Sequence, residues 1–291
     1  MPLSDDFIAQ LQQLASQLQA LLPPTPPTPD WTTGRAFRWR VTGQQRYLET
    51  IHDLSPIRLD DLQGIDRQKA EIRRNTAQFV SGLPANNVLL TGARGTGKSS
   101  LVKALVNEFA AEGLRVVEVD KDLLVDLADI VAQLAPRSER FIIYCDDLSF
   151  TDDDASYRAL KTILDGSLHA GSDNVLIYAT SNRRHLLPEY MTDNLKSSVG
   201  DDGELHPSEA IEDKISLSDR FGLWLSFYAM TQDMYLDIVR HWLGTYDLAF
   251  DDSTRTAALQ WALGRGSRSG RSAAQFAKDW AGRYLRKNDS I

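Results

Sequence analysis

Two hydrophobic periodicities divide the chain. Phe7, Leu11, Leu14, Leu18 and Leu21 fall at intervals of 4, 3, 4 and 3. That spacing predicts an amphipathic helix over residues 4–22, with Ser4 as its N-cap. Such a stripe either docks on the chain's own core or recruits a partner, because two heptads are marginal alone. From Leu59 onward the pattern changes to short continuous apolar runs alternating with helical patterns. Runs at 87–91, 115–119, 141–145, 175–179 and 223–228 predict strands, and 98–112, 122–134 and 155–169 predict helices. Strands apolar on both faces, alternating with helices, imply a parallel sheet covered on both sides. After Thr231 only helical patterns remain, broken at Gly244 and at Gly264-Arg265-Gly266. The expectation is an α/β protein: a parallel five-stranded sheet with helices on both faces, followed by a small helical domain.

Punctuation sets the boundaries. Pro23-Pro24-Thr25-Pro26-Pro27-Thr28-Pro29 reads as a polyproline II spacer. The expected organisation is therefore an N-terminal helix at 1–22, a linker at 23–33, a nucleotide-binding domain at 34–230 and a helical domain at 231–291. Residues 188–215 are polar and acidic and read as a long surface loop.

Composition narrows the class. The 291 residues are 42% hydrophobic and 25% charged, with a formal net charge of -8. That balance argues against a protein that coats nucleic acid with its whole surface. Two basic regions stand apart from it. Residues from Gly264 to the end carry a local balance of +5, and residues 34–46 interleave Arg35, Arg38, Arg40 and Arg46 with Phe37 and Trp39. Basic residues among aromatics can hold single strands; the plainer reading is a strand that buries the aromatics and exposes the arginines. The single cysteine, Cys145, excludes a disulfide framework. No signal sequence or membrane span is recognisable, so the expected location is cytoplasmic.

The chemistry concentrates in Gly92-Ala93-Arg94-Gly95-Thr96-Gly97-Lys98-Ser99. It matches G-x-x-x-x-G-K-[ST] between a predicted strand and a predicted helix. The glycines let successive N–H groups and the helix N-terminus face phosphate. Lys98 would reach the β- and γ-phosphates of ATP, and the Ser99 hydroxyl would ligate Mg²⁺. The apolar run 141–145 ends in Asp146 and Asp147, at the sheet edge where ligands bind in such folds. Asp146 would hold Mg²⁺ through water, and Asp147 would be the general base. Ala179-Thr180-Ser181-Asn182 ends the next strand, and Asn182 would orient water or the γ-phosphate. Arg220 and Arg271 are the candidates for stabilising charge during phosphoryl transfer.

This set resembles the AAA+ branch of P-loop ATPases over roughly residues 57–286. The matching segments are Asp61-Leu62-Gln63-Gly64-Ile65, the phosphate loop and the Asp146-Asp147 pair, then Asn182, Ser218-Asp219-Arg220-Phe221-Gly222 and Ser269-Gly270-Arg271. Several strings, among them Phe37-Arg38-Trp39-Arg40 and Asp146-Asp147-Leu148-Ser149-Phe150, also resemble a bacterial family of uncharacterised ATP-binding proteins. The resemblance implies nucleotide contacts from Gly92 through Ser100, with Ile65 near adenine and Arg271 sensing nucleotide from a helical lid. It implies Walker B acids at 146 and 147, a first sensor at Asn182, and Arg220 as an arginine finger for a neighbouring subunit. A finger supplied in trans implies a homo-oligomer, and the 4–22 helix would recruit an unknown protein partner. Position 147 departs from the family, which usually places Glu there. Asp sets its carboxylate about 1.5 Å back, and a displacement near 1 Å costs on the order of 100-fold in rate. The expected activity is slow ATP hydrolysis coupled to conformational change or remodeling. The alternatives are a nucleotide-gated binding module with negligible hydrolysis and a nucleic-acid loader.

Overall fold

The computed structural model describes residues 26–150, 154–165, 173–182 and 217–288, with the backbone of a two-residue hairpin pair, Ser198–Val199 and Leu205–His206. Seven strands form the main sheet: β1 (Ala36–Thr42), β2 (Gln45–Ile51), β3 (Val88–Gly92), β4 (Leu114–Glu118), β5 (Arg140–Cys145), β6 (Val175–Ser181) and β7 (Leu223–Phe227). Their spatial order is β2-β1-β4-β5-β6-β3-β7. Every neighbouring pair is parallel except β1 with β2.

The five predicted strands are all present and form the contiguous block from β4 to β7. The count rises to seven because residues 36–51 form a hairpin that adds β1 beside β4. Phe37 and Trp39 are fully buried, so the aromatics belong to the core. Three of the neighbouring arginines meet carboxylates: Arg38 with Glu118 at 2.8 Å, Arg40 with Glu49 at 2.8 Å and Arg46 with Asp126 at 3.1 Å. The plainer reading of this segment describes it, with salt-bridged rather than bare arginines.

Helices cover both faces. α1 (Asp66–Val80) and α2 (Lys98–Phe109) lie on one side. α3 (Leu127–Leu134) and α4 (Ala155–Leu164) lie on the other. Strand β5 shows why its run is continuously apolar. Phe141, Ile143 and Cys145 enter the core under α3 and α4, while Ile142 and Tyr144 enter the core under α1 and α2. The helix predicted at 122–134 begins instead as a 3-10 segment, Lys121–Asp126. Its last residue, Asp126, is turned inward to accept the Trp39 Nε1–H at 3.0 Å and to pair with Arg46. Helix α1 had no counterpart among the sequence expectations; its mean hydropathy is low and its apolar stripe is thin.

Three C-terminal helices follow the sheet: α5 (Gln232–Gly244), α6 (Asp252–Gly264) and α7 (Gly270–Asn288). Thr231 and Asp251 cap α5 and α6 by accepting the Met234 and Thr254 N–H groups, as the helix-start rule requires. The helices share their own core of Tyr235, Val239, Leu243, Ala258, Ala273 and Phe276. The predicted helix at 4–22 and most of the acidic stretch at 188–215 lie outside the described residues. Among the described residues no helix is long and apolar enough to cross a membrane.

Asp126 joins the hairpin to the sheet's helical layer, so its removal tests that attachment. Asp126→Ala strands the buried Trp39 N–H, which costs about 1–3 kcal/mol. A urea denaturation curve should show that loss, with Arg40→Ala, which breaks an exposed pair, changing stability by less than about 1 kcal/mol.

Candidate active site

The phosphate loop crosses from β3 to α2 through backbone that favours glycine, most sharply at Gly92 and Gly97. Gly92 has φ 129°, and a Cβ there would lie 1.9 Å from the Phe227 carbonyl oxygen of β7. Gly97 has φ 102° and turns the chain into α2. The first bond within that helix runs from the Leu101 N–H to the Gly97 carbonyl at 2.8 Å. The N–H groups of Lys98, Ser99 and Ser100 therefore have no helical acceptor, and a helix start of this kind attracts anions.

Lys98 is 6% exposed. Its Nζ donates to the Gly92 carbonyl at 2.6 Å, the Ala93 carbonyl at 2.9 Å and Asn182 Oδ1 at 3.1 Å. Burial lowers its pKa, while Asp146 and Asp147 push the other way. Ser99 Oγ donates to Asp146 Oδ1 at 2.9 Å. Asp147 takes φ 53°, the left-handed region that Asp tolerates better than most side chains. Asn182 Nδ2 donates to its carboxylate, and Arg94 reaches the other oxygen at 3.5 Å. Three separate stretches of sequence thus meet at the carboxyl edge of the sheet: the loop after β3, the end of β5 and the end of β6.

These groups line one cavity of about 510 Å³. Arg94, Gly95, Thr96, Gly97, Lys98, Ser99 and Ser100 form its floor, and Asp146, Asp147, Thr180 and Asn182 its polar wall. Leu62, Ile65, Met230, Ile238 and Trp242 give it apolar lining. Gly270 and Arg271 from the start of α7 stand over the loop, and the Gly270 N–H donates to the Gly95 carbonyl at 2.9 Å. A second tie joins the C-terminal helices to the segment before α1, where His241 Nε2 lies 3.1 Å from Asp61 Oδ1.

Asp146 is the most heavily hydrogen-bonded acid of the site. Desolvation raises its pKa, but hydroxyl donors from Thr180, Tyr144 and Ser99 outweigh that and hold it below the usual carboxylate range. Cys145, the preceding residue, behaves oppositely. Burial pushes its thiol up to about 12, so it is packing rather than a nucleophile.

Of the residues singled out in the sequence, the structure gathers Ile65, Arg94 through Ser100, Asp146, Asp147, Asn182 and Arg271 around this cavity. Gly92 and Ala93 sit beneath it and contribute carbonyls to Lys98. Arg220 is not among the lining residues; its guanidinium pairs with Asp165 at the end of α4. Sequence reasoning passed over Met230, Ile238 and Trp242, which carry no motif; Ile238 and Trp242 read only as helix core. It also passed over Tyr144 and Thr180, each inside a quoted string but without a distinguishing pattern.

A family model described as a protein of unknown function (DUF815) matches residues 32–284. The chain is 30% identical over 152 residues to the ATP-dependent zinc metalloprotease FtsH of Burkholderia pseudomallei (strain 1710b). That match covers 46% of this chain and 21% of the relative, so it spans about a fifth of the protease. The RuvB Holliday junction branch migration motor of Thermotoga maritima superposes with TM-score 0.51 at 19% identity. The superposition covers 77% of this chain and 64% of RuvB, just under two thirds of its length. The FIGL-1 AAA domain, solved in complex with ADP, gives TM-score 0.50 at 17% identity over 79% of this chain and 75% of that one. At these identities the likeness speaks for the fold. Matched over residues 32–284, the chain belongs to the DUF815 family, and it shares its fold with the RuvB motor and the FIGL-1 AAA domain.

Proposed function

We propose that the cavity binds ATP with Mg²⁺ and hydrolyses it slowly, coupling nucleotide state to movement of the C-terminal helices. The observation that carries this is the position of Lys98, a buried ammonium held by loop carbonyls at the start of a helix, facing two carboxylates and Asn182. The donor chemistry fits Mg²⁺. A serine hydroxyl and a carboxylate already meet at 2.9 Å, and both are hard oxygen ligands of the kind this cation takes. Mg²⁺ is commonly bound by one or two carboxylates plus substrate phosphates and water.

In this reading Ser99 and Asp146 would hold the cation, and the cation would neutralise charge on the phosphates. Lys98 would exchange its carbonyl partners for phosphate oxygens. Asp147, oriented by Asn182, would accept the proton of the attacking water. The apolar lining formed by Leu62, Ile65, Ile238 and Trp242 would take the base, and Arg271 would sense phosphates from the lid. Arg220, paired with Asp165 and not among the lining residues, would act on a neighbouring copy. The FtsH relative is named as ATP-dependent and the FIGL-1 domain was solved with ADP, which supports nucleotide as the ligand. The amphipathic segment 4–22 is assigned to partner recruitment on its sequence pattern. The rival, a nucleotide-gated module, draws support from the Gly270–Gly95 bond, through which an occupied loop would reset the lid without hydrolysis. A loader of nucleic acid is disfavoured, because Arg38, Arg40 and Arg46 are engaged by carboxylates.

ATP turnover measured against protein concentration, with Lys98→Ala as the blank, tests the reading. Specific activity should rise with concentration, and Arg220→Ala should lower it by about 10³-fold or more, as loss of an arginine finger does. Wild-type turnover no higher than the blank would leave the gated module as the better account. Asp147→Glu checks the distance argument separately: turnover should increase, by up to about 100-fold. Unchanged or slower turnover contradicts it.

A further inference from the structure

One oxygen of Asp146 accepts three hydroxyls. Oδ1 receives Ser99 Oγ at 2.9 Å, Tyr144 Oη at 2.8 Å and Thr180 Oγ1 at 2.5 Å. Oδ2 accepts none of the three. The donors come from α2, β5 and β6, so the carboxylate is held from three directions. Ser99 belongs to the phosphate loop and would turn to the cation once nucleotide binds. Tyr144 and Thr180 have no such second task.

Both remaining hydroxyls are built in. Tyr144 is 4% exposed, with its ring in the apolar layer under α1 and α2. Phenylalanine would fill that layer equally well, and a phenol there is tolerated only where its O–H finds an acceptor. The acceptor it finds is the metal-binding acid itself. Thr180 is 1% exposed. Its hydroxyl donates to Asp146 Oδ1 and accepts the Asp147 N–H at 2.9 Å, while its carbonyl accepts the Leu148 N–H at 2.7 Å. Strand β6 thereby pins the whole Asp146-Asp147-Leu148 turn, including the left-handed backbone of Asp147.

We propose that Tyr144 and Thr180 are positioning residues of the cation site, a pair of buried hydroxyls that clamps Asp146 Oδ1 and so fixes the carboxylate where it would hold Mg²⁺. The proposal rests on the reading of the cavity as a Mg²⁺–ATP site. Tyr144 is not among the residues that line the cavity, and Thr180, which does line it, is 1% exposed with its hydroxyl turned to Asp146; each acts through the acid. Groups that orient a ligating carboxylate in this way are worth 10- to 100-fold in metal affinity.

The test is a Mg²⁺ titration of the full chain saturated with N-methylanthraniloyl-ATP, followed by nucleotide fluorescence, with nucleotide affinity measured separately in EDTA. Tyr144→Phe and Thr180→Val should each raise the Mg²⁺ midpoint about 10-fold or more, with the affinity of Tyr144→Phe in EDTA within about twofold of wild type. Thr180→Ser should restore the wild-type midpoint, since it returns the hydroxyl. Midpoints of both variants matching wild type overturn the clamp and leave the nucleotide reading standing. An equal loss in EDTA for Tyr144→Phe overturns it too, because it marks a merely structural role. A wild-type chain with no Mg²⁺ response overturns the Mg²⁺–ATP reading and the clamp together.

Discussion

A buried ammonium must be surrounded by acceptors, and the site is organised around that requirement at Lys98. An unpaired charge with so little access to water is strongly destabilising. The three oxygens around Nζ come from Gly92, Ala93 and Asn182, so satisfying one side chain ties the phosphate loop to the end of β6. The loop can supply its carbonyls only because Gly92 lets the chain pass against Phe227 of β7. The same tie aligns Asn182 with Asp147. Phosphate oxygens are the natural replacement for carbonyls that hold an ammonium beside free helix N–H groups. The arrangement is therefore coherent both without ligand and with one.

Parts of this were legible in the sequence, for physical reasons. The phosphate loop is contiguous, so its spacing alone carries its geometry. Asp146, Asp147 and Asn182 were legible because they end apolar runs, and runs buried on both faces must terminate at one sheet edge. The hairpin was less legible. The alternation of Phe37 and Trp39 with arginines is compatible with either a bare basic strand or a salt-bridged one. The difference is set by Glu118 and Asp126, which lie 80 residues away from Arg38 and Arg46. That is why five expected strands became seven.

The residues missed share a cause. Met230, Ile238 and Trp242 reach the cavity because α5 packs back toward the 59–65 segment, a placement fixed by tertiary contacts such as His241 with Asp61. Thr180 reaches Asp146 because strand order sets β6 beside β5, with Tyr144 opposite Tyr178 in the register. No local pattern encodes either event. Arg220 shows the converse: its motif was legible, yet its side chain pairs with Asp165 and is not among the residues that line the cavity.

The central claim is that Lys98 trades carbonyls for phosphate. A crystal structure of the chain with a non-hydrolysable ATP analogue and Mg²⁺ tests it most directly. The account predicts phosphates against the N–H groups of Lys98, Ser99 and Ser100, with Nζ withdrawn from Gly92 and Ala93 onto phosphate oxygen. An analogue seated elsewhere, or one bound here with Nζ still on those two carbonyls, would contradict it.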